Sequence, residues 1–228
     1  MPNDDDPRFI FHSHIRVGFL DFGFTGPNRS KRVPPENKRP KFPPPQTDSL
    51  TDVHQLTGNV LFTDFGAVKD PRNTSKTLNT DLKGRLLMYE SETNRVTVLL
   101  KNLSGPAGVA VSQDGAYVLV SNFIGNNTIR YWLRGPRANT YESINFQERP
   151  DNIRRTVVGD FWRATTMVKQ PAQSVVPIGQ RMDGFGRVSR TINLEAWYGN
   201  QLISEVHEFG GELYLGSRFT TFVGVYRF

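Results

Sequence analysis

Short stretches with the composition of β-strands recur along this chain at a nearly constant spacing. Each repeat consists of an apolar run, a turn that contains glycine and a second apolar run, as in residues 108–121. The turn glycines Gly115, Gly159 and Gly211 are 44 and 52 positions apart. Because a four-stranded propeller blade takes about 40–50 residues, this repeat predicts a blade. Gly58 marks one more repeat, so about four blades are predicted within residues 51–228.

Individual segments support this all-β interpretation. Residues 59–64, 84–89 and 95–100 are rich in β-branched and aromatic side chains, have the length of strands and are flanked by turn residues. Residues 183–187, with the sequence DGFGR, are predicted to form a hairpin turn. Four blades have to close tightly or leave sheet edges open, so the pattern predicts an incomplete propeller.

The first 50 residues have a different composition. They contain nine of the fifteen prolines and two basic clusters, at 31–32 and 38–41. Proline removes a backbone donor and disfavours helices and central strands, so residues 1–50 are predicted to be an extended or disordered arm. Within the arm, the apolar patch at 9–24 could form a strand or dock on the rest of the chain. Two regions are therefore predicted: the arm at 1–50 and a partial propeller at 51–228.

Charge and composition exclude several functions. The chain has no cysteine, which rules out disulfides, thiolate metal sites and a cysteine nucleophile. The formal net charge is +6, but basic residues are interspersed with acidic ones, so nucleic-acid binding is not predicted. No apolar run reaches the roughly 18 residues that a membrane span needs, and the acidic start at 1–6 does not have the pattern of a secretory signal.

Several longer strings, taken together, are specific. They are LSGPAG at 103–108, YVLVSNF at 117–123, IRYWLRGP at 129–136, RPDNIRR at 149–155, GDFW at 159–162, LISEVHEF at 202–209 and LYLG at 213–216. In these strings the chain resembles the strictosidine synthase-like family of plants. The resemblance covers about residues 51–228, and nothing in residues 1–50 carries it.

The resemblance implies a six-bladed β-propeller truncated to its C-terminal part of about four blades. Family members are mostly vacuolar or secreted, so it also implies the vacuole or secretory pathway. Sequons for N-glycosylation at Asn28, Asn73, Asn102 and Asn126 fit that location.

The family reaction is a Pictet–Spengler condensation of tryptamine with secologanin in alkaloid biosynthesis, in which a glutamate of the last blade acts as general acid and base. The resemblance places that glutamate position at Ser204, whose hydroxyl does not titrate in the useful range. Glu205 is adjacent, but strand alternation predicts that it points to the opposite face. Phe123 matches an aromatic residue that lines the substrate channel, so Phe123 and Ser204 are the predicted pocket residues.

The same superfamily includes calcium-dependent lactonases and arylesterases, which suggests a second hypothesis. Asp151 and Asn152 stand where those enzymes place one pair of Ca²⁺ ligands, whereas Ala107 occupies another ligand position, so no stable metal site is predicted. Three functions therefore stay open: a strictosidine synthase-like protein acting on an amine and an aldehyde, an ester or lactone hydrolase, and a non-catalytic propeller fragment.

Overall fold

The computed structural model describes residues 9–12, 51–66, 83–169 and 174–228. In that part of the chain, strands form nearly all of the regular structure, with one short helix, α1 (Glu195–Tyr198). The strands are β1 (Phe9–His12), β2 (Thr51–Val53), β3 (Val60–Asp64), β4 (Gly84–Glu90), β5 (Arg95–Leu103), β6 (Pro106–Val111), β7 (Tyr117–Asn122), β8 (Asn127–Trp132), β9 (Tyr141–Asn145), β10 (Arg149–Arg155), β11 (Phe161–Lys169), β12 (Ser174–Met182), β13 (Val188–Asn193), β14 (Glu205–Phe209), β15 (Glu212–Gly216) and β16 (Val223–Arg227).

These strands form four antiparallel sheets of four strands each, in the arrangement of propeller blades. The first three sheets follow chain order: β2-β3-β4-β5, β6-β7-β8-β9 and β10-β11-β12-β13. The fourth has the order β14-β15-β16-β1, so a strand from the start of the chain forms its outer edge. The all-β, blade-type prediction is confirmed.

The turn glycines explain why each sheet begins with a hairpin. Gly58, Gly115, Gly159 and Gly211 lie between the first and second strands of their sheets, with φ angles of +71°, +71°, +97° and +83°. Such positive φ values are readily adopted by glycine and rarely by residues with a Cβ. The spacing of these glycines therefore reports the spacing of blades, as predicted from the sequence. Residues 183–187 also form the predicted hairpin turn, between β12 and β13.

Three apolar layers hold neighbouring sheets together. The first sheet packs on the second through Leu61, Leu86, Leu103, Val109, Val111, Val118, Val120, Ile129 and Tyr131. The second packs on the third through Ala110, Leu119, Ile153, Phe161 and Met182. The third packs on the fourth through Trp162, Ala164, Ile192, Leu194, Tyr198, Ile203, Val206, Leu213, Leu215 and Tyr226. Alternate residues of each strand enter a given layer, because successive side chains of a strand point to opposite faces of the sheet.

The sheets form an open arc. Among the described residues, packing runs from the first sheet to the second, third and fourth in turn, and no strand of the fourth sheet packs extensively on a strand of the first. β1 pairs with β16 in antiparallel register, with Phe9 opposite Tyr226 and His12 opposite Val223. Part of the predicted arm is thus a strand, and residues 1–8 and 13–50 lie outside the described residues.

Candidate functional site

The first strands of the sheets, β2, β6, β10 and β14, are the innermost strands of the arc. Neighbouring sheets meet through them, since β6 contacts β2 and β10, and β10 contacts β14. Of these strands, β6, β10 and β14 begin at the same end of their sheets, which we call the upper end. Three of the predicted site positions lie at this end: Ser204 just before β14, and Asp151 and Asn152 near the start of β10.

Asn152 is the residue at which three sheets meet. The backbone of β6 comes so close to it that a Cβ added to Gly108 would lie 2.8 Å from the Asn152 Cα and 2.7 Å from the Ile153 nitrogen. On its other side, the Asn152 N–H donates to the carbonyl oxygen of Ser204 at 3.2 Å. A bulge in the pairing of β10 with β11 lies between Pro150 and Ile153 and frees this segment to contact its neighbours.

Glu205 joins this junction through its carboxylate. Asn152 Nδ2 donates to Glu205 Oε2 at 3.0 Å, and Arg154 donates from Nε to Oε1 at 2.9 Å and from Nη2 to Oε2 at 3.2 Å. Burial alone would lower the pKa of Arg154, but the charge of Glu205 and its hydrogen bonds outweigh burial and raise that pKa above its usual value. Both carboxylate oxygens therefore hold β10 and β14 together.

Ser204 is next to Glu205 but has different surroundings. Its backbone N–H donates to the Gly216 carbonyl oxygen at 2.8 Å, which extends the β14–β15 ladder by one residue. Its hydroxyl oxygen is buried and has no hydrogen-bond partner among the described residues. Because none of the described residues is a base bonded to this hydroxyl, nothing in this part of the chain lets Ser204 perform the proton transfers of a carboxylate.

His207 lies two residues after Glu205 on the same strand. Burial lowers its pKa, the neighbouring Glu205 carboxylate raises it in part, and the Arg154 guanidinium lowers it further. The imidazole is therefore predominantly neutral at neutral pH. Glu205, His207 and Arg154 together form a polar group on the inner strands of the third and fourth sheets.

Phe123 also lies at the upper end. It directly follows β7, and its N–H donates to the Gly105 carbonyl oxygen at 2.8 Å. The guanidinium carbon of Arg149, at the start of β10, lies 5.4 Å from the centre of the Phe123 ring, within the range of a cation–π contact. Phe123 is half-buried and Arg149 is exposed, so together they offer an aromatic and cationic surface between the second and third sheets.

Asp151 is buried inside β10, where its Oδ2 lies 3.8 Å from Nη2 of Arg218 in the loop after β15. A calcium site needs six to eight oxygen ligands. In the described ranges, no group of three or more His, Asp or Glu side chains could hold a metal ion. Since both oxygens of the nearby Glu205 accept hydrogen bonds from Arg154 and Asn152, and Asp151 lies beside Arg218, the residues present do not fit a calcium site.

The structure thus brings Asp151, Asn152 and Ser204 together at the upper end, with Phe123 at the neighbouring junction of sheets. It also adds Glu205, Arg154 and Gly108, which sequence reasoning missed or placed elsewhere. The string RPDNIRR could have indicated Arg154. Asn152 and Arg154 are two positions apart, and residues with that spacing in a strand share a face. Asn102 and Asn126 are exposed, whereas Asn28 and Asn73 lie outside the described residues.

Three solved structures share this fold at 14% sequence identity, and all are six-bladed propellers. Regucalcin from Agrobacterium tumefaciens superposes with a TM-score of 0.55 over 79% of this chain and 60% of its own. A luciferin-regenerating enzyme gives 0.52 over 78% and 60%, and a gluconolactonase from Xanthomonas campestris gives 0.52 over 77% and 55%. The chain is thus a propeller protein of the six-bladed class.

Sequence relatives define the family more narrowly. Strictosidine synthase-like protein 11 of Arabidopsis thaliana is 40% identical over 177 residues, which cover 76% of this chain and 54% of the relative. Strictosidine synthase of Catharanthus roseus is 36% identical over 178 residues, which cover 76% and 51%. The family model for strictosidine synthase matches residues 48–136. This chain belongs to the strictosidine synthase-like family.

The alignments differ in how much of each relative they cover. The chain spans about half the length of the relatives just named. Strictosidine synthase-like protein 2 of Arabidopsis thaliana is 32% identical over 258 residues, which cover 96% of this chain and 67% of the relative. Because only 4% of the chain, about nine residues, lies outside that alignment, the similarity extends into residues 1–50.

No helix in the described ranges is long and apolar enough to span a membrane.

Proposed function

We propose that this chain binds small organic molecules at the upper end of its sheets and does not catalyse the condensation of tryptamine with secologanin. The observation that carries the proposal is the pair Ser204 and Glu205. Ser204, which the resemblance assigns to the family's glutamate position, has a hydroxyl with no hydrogen-bond partner among the described residues. The adjacent carboxylate is occupied by Arg154 and Asn152.

The condensation needs a carboxylate that can release and take up a proton near the iminium and the indole carbon. Glu205 is a poor candidate, because both of its carboxylate oxygens already accept hydrogen bonds from Arg154 or Asn152. Asp151 is buried inside β10 beside Arg218. Neither carboxylate at this junction is therefore placed to exchange a proton with a bound substrate.

Binding can persist without that step. Phe123 and Arg149 provide an aromatic face and a cation at the upper end, which suit a planar organic ligand with a carbonyl or another acceptor group. The similarity to strictosidine synthase of Catharanthus roseus supports a small-molecule ligand for this chain. An amine, an aldehyde or an ester are the classes to test first.

Turnover is tested by incubating the full chain with tryptamine and secologanin and measuring strictosidine by mass spectrometry. We expect no product above the protein-free control. Product formed by the wild-type chain and lost in Glu205→Gln would assign the reaction to Glu205 and contradict the proposal.

Binding is tested by equilibrium dialysis of tryptamine, secologanin and a small aromatic ester with the same protein. We expect at least one of them to bind, and Phe123→Ala to weaken that binding by about tenfold, as for an aromatic contact. Phe209→Ala is the control, because Phe209 is an exposed phenylalanine at the end of β14, away from the upper end. Equal affinity in both variants would exclude the Phe123 surface as the binding site.

The calcium-dependent hydrolase remains a prediction by analogy. Its test is the hydrolysis of the same ester with added Ca²⁺ and with a chelator. Because the residues at the upper end do not fit a calcium site, we expect equal rates in the two conditions. A chelator-sensitive rate would favour the hydrolase.

A further inference from the structure

The interface between the second and third sheets has an apolar lower part and a polar upper part. Its lower part is the apolar layer that contains Leu119 and Phe161. Above this layer, Ser121, Thr128 and Arg163 are fully buried, each with 0% exposure. A buried arginine and two buried hydroxyls are costly in a core unless they have hydrogen-bond partners.

Strand geometry places these three side chains on facing surfaces. Ser121 follows Leu119 by two residues on β7, so both side chains point toward the third sheet. Thr128 is directly opposite Ser121 in the β7–β8 register. Arg163 follows Phe161 by two residues on β11 and therefore points back toward the second sheet.

The end of β9 and the residue after it link Thr128 to the guanidinium of Arg163. Thr128 lies opposite Ile144 in the β8–β9 register, and Ile144 and Phe146 both pack on the apolar layer below. The guanidinium carbon of Arg163 lies 3.4 Å from the centre of the Phe146 ring. Thr128 and Arg163 are thus connected through two neighbouring side chains of one segment.

The hydrogen bonding of these groups is incomplete. Arg163 Nε donates to Gln180 Oε1 at 2.9 Å, and Nη2 lies 3.3 Å from Glu148 Oε2. In contrast, Arg163 Nη1, Ser121 Oγ and Thr128 Oγ1 have no hydrogen-bond partner among the described residues. One guanidinium nitrogen and two hydroxyls, all fully buried, are thus available as donors in one interface.

The charge of Arg163 is also only partly balanced. Burial lowers its pKa to about 10, and the Glu148 carboxylate, which is itself partly exposed, offsets only part of this effect. A water molecule could accept a hydrogen bond from Nη1 but would leave the charge unchanged. A monovalent anion placed between the three groups would accept hydrogen bonds from them and would also stabilise the buried cation.

We propose that Ser121, Thr128 and Arg163 bind a small monovalent anion of the size of chloride between the second and third sheets. The anion stabilises the contact of these sheets and takes no part in chemistry at the upper end. This site is independent of the proposed function, because none of its three residues contacts Ser204, Glu205 or Phe123 through a described hydrogen bond.

The first test is thermal unfolding of bacterially produced full chain in sodium chloride and in sodium gluconate of equal ionic strength. Gluconate is too large for a buried chloride site, so we expect Tm to be higher in chloride by about 2–4 °C. Equal Tm in the two salts would overturn the proposal.

Variants separate a specific site from a general salt effect. Thr128→Val removes one hydroxyl and should reduce the difference in Tm between chloride and gluconate. Thr128→Ser keeps the hydroxyl and should retain this difference. Thr63→Val is the matched control, because Thr63 is also fully buried on a strand and its hydroxyl donates to the Ala107 carbonyl oxygen at 3.2 Å. The Thr63→Val control should lower Tm equally in both salts. If Thr128→Val keeps the full difference in Tm between chloride and gluconate, the result would count against the site.

The second test locates the ion. Crystals of the full chain soaked in sodium bromide should give an anomalous difference peak within hydrogen-bond distance of Arg163 Nη1. Density for a water molecule at this position, without an anomalous peak, would show that solvent alone satisfies these donors and would refute the anion site.

Discussion

At the scale of single residues, the partner of a side chain decides its role more than its place in a motif. Ser204 occupies the position that the family resemblance assigns to catalysis, yet the carboxylate held at the junction belongs to Glu205. Strand alternation predicts that the two side chains point to opposite faces. It could not predict that Glu205 binds Asn152 and Arg154, because these residues are 53 and 51 positions away in sequence.

His207 gives a prediction at this scale. Its folded-state pKa is lowered, so the unfolded chain, with an ordinary pKa near 6.5, binds the proton more readily. The stabilisation is fully present above about pH 6.5 and is lost as the pH falls from there toward the folded-state pKa.

Thermal unfolding of the wild-type chain and of His207→Gln at about pH 7.5 and about pH 5.5 measures this effect. We expect the wild type to lose more Tm than the variant on acidification. The same loss in both proteins would mean that His207 is not responsible for the pH dependence.

At the scale of structural elements, turn glycines allowed much of the fold to be predicted. Gly58, Gly115, Gly159 and Gly211 mark the first hairpin of each sheet because these turns need positive φ. The close approach of β6 to β10 could not be predicted in the same way. Gly108 has no Cβ, but only the structure reveals that the backbone of Asn152 and Ile153 fills the space where a Cβ would be.

Gly108→Ala tests the importance of this close approach. The added Cβ would meet backbone atoms at 2.7 and 2.8 Å, so the sheets have to move apart, and we expect a loss of about 1–3 kcal/mol in the free energy of unfolding.

Gly179→Ala on β12 is the control, because its added Cβ would have its nearest neighbour, a Val206 methyl carbon, at 3.5 Å, an ordinary contact distance. Urea denaturation of both variants gives the comparison. A Gly108→Ala chain as stable as Gly179→Ala would argue against a tight β6–β10 junction.

At the scale of the whole molecule, the sequence predicts the number of sheets but not the strand that completes the last one. Each of the first three sheets is built from consecutive strands, which periodicity can identify. The fourth takes its outer strand, β1, from a proline-rich region whose composition favours an extended arm. Composition averaged over 50 residues hides a four-residue strand, and its partner β16 is at the other end of the chain.

Removal of residues 1–12 should therefore expose the edge of β16. An unpaired edge strand promotes association with other chains, so we expect a lower Tm and more self-association in size-exclusion chromatography. A chain that lacks only residues 1–8 retains β1 and serves as the control. If the two truncated chains behave alike, β1 does not contribute to the fourth sheet in solution.

The central claim is that the carboxylate of Glu205 holds β10 and β14 together. The most direct measurement is the free energy of unfolding of Glu205→Gln, compared with Glu212→Gln, which removes the charge from the surface pair of Glu212 with Arg227. We expect a loss of about 1–3 kcal/mol for Glu205→Gln and of less than about 1 kcal/mol for Glu212→Gln. A Glu205→Gln chain as stable as the wild type would contradict the claim.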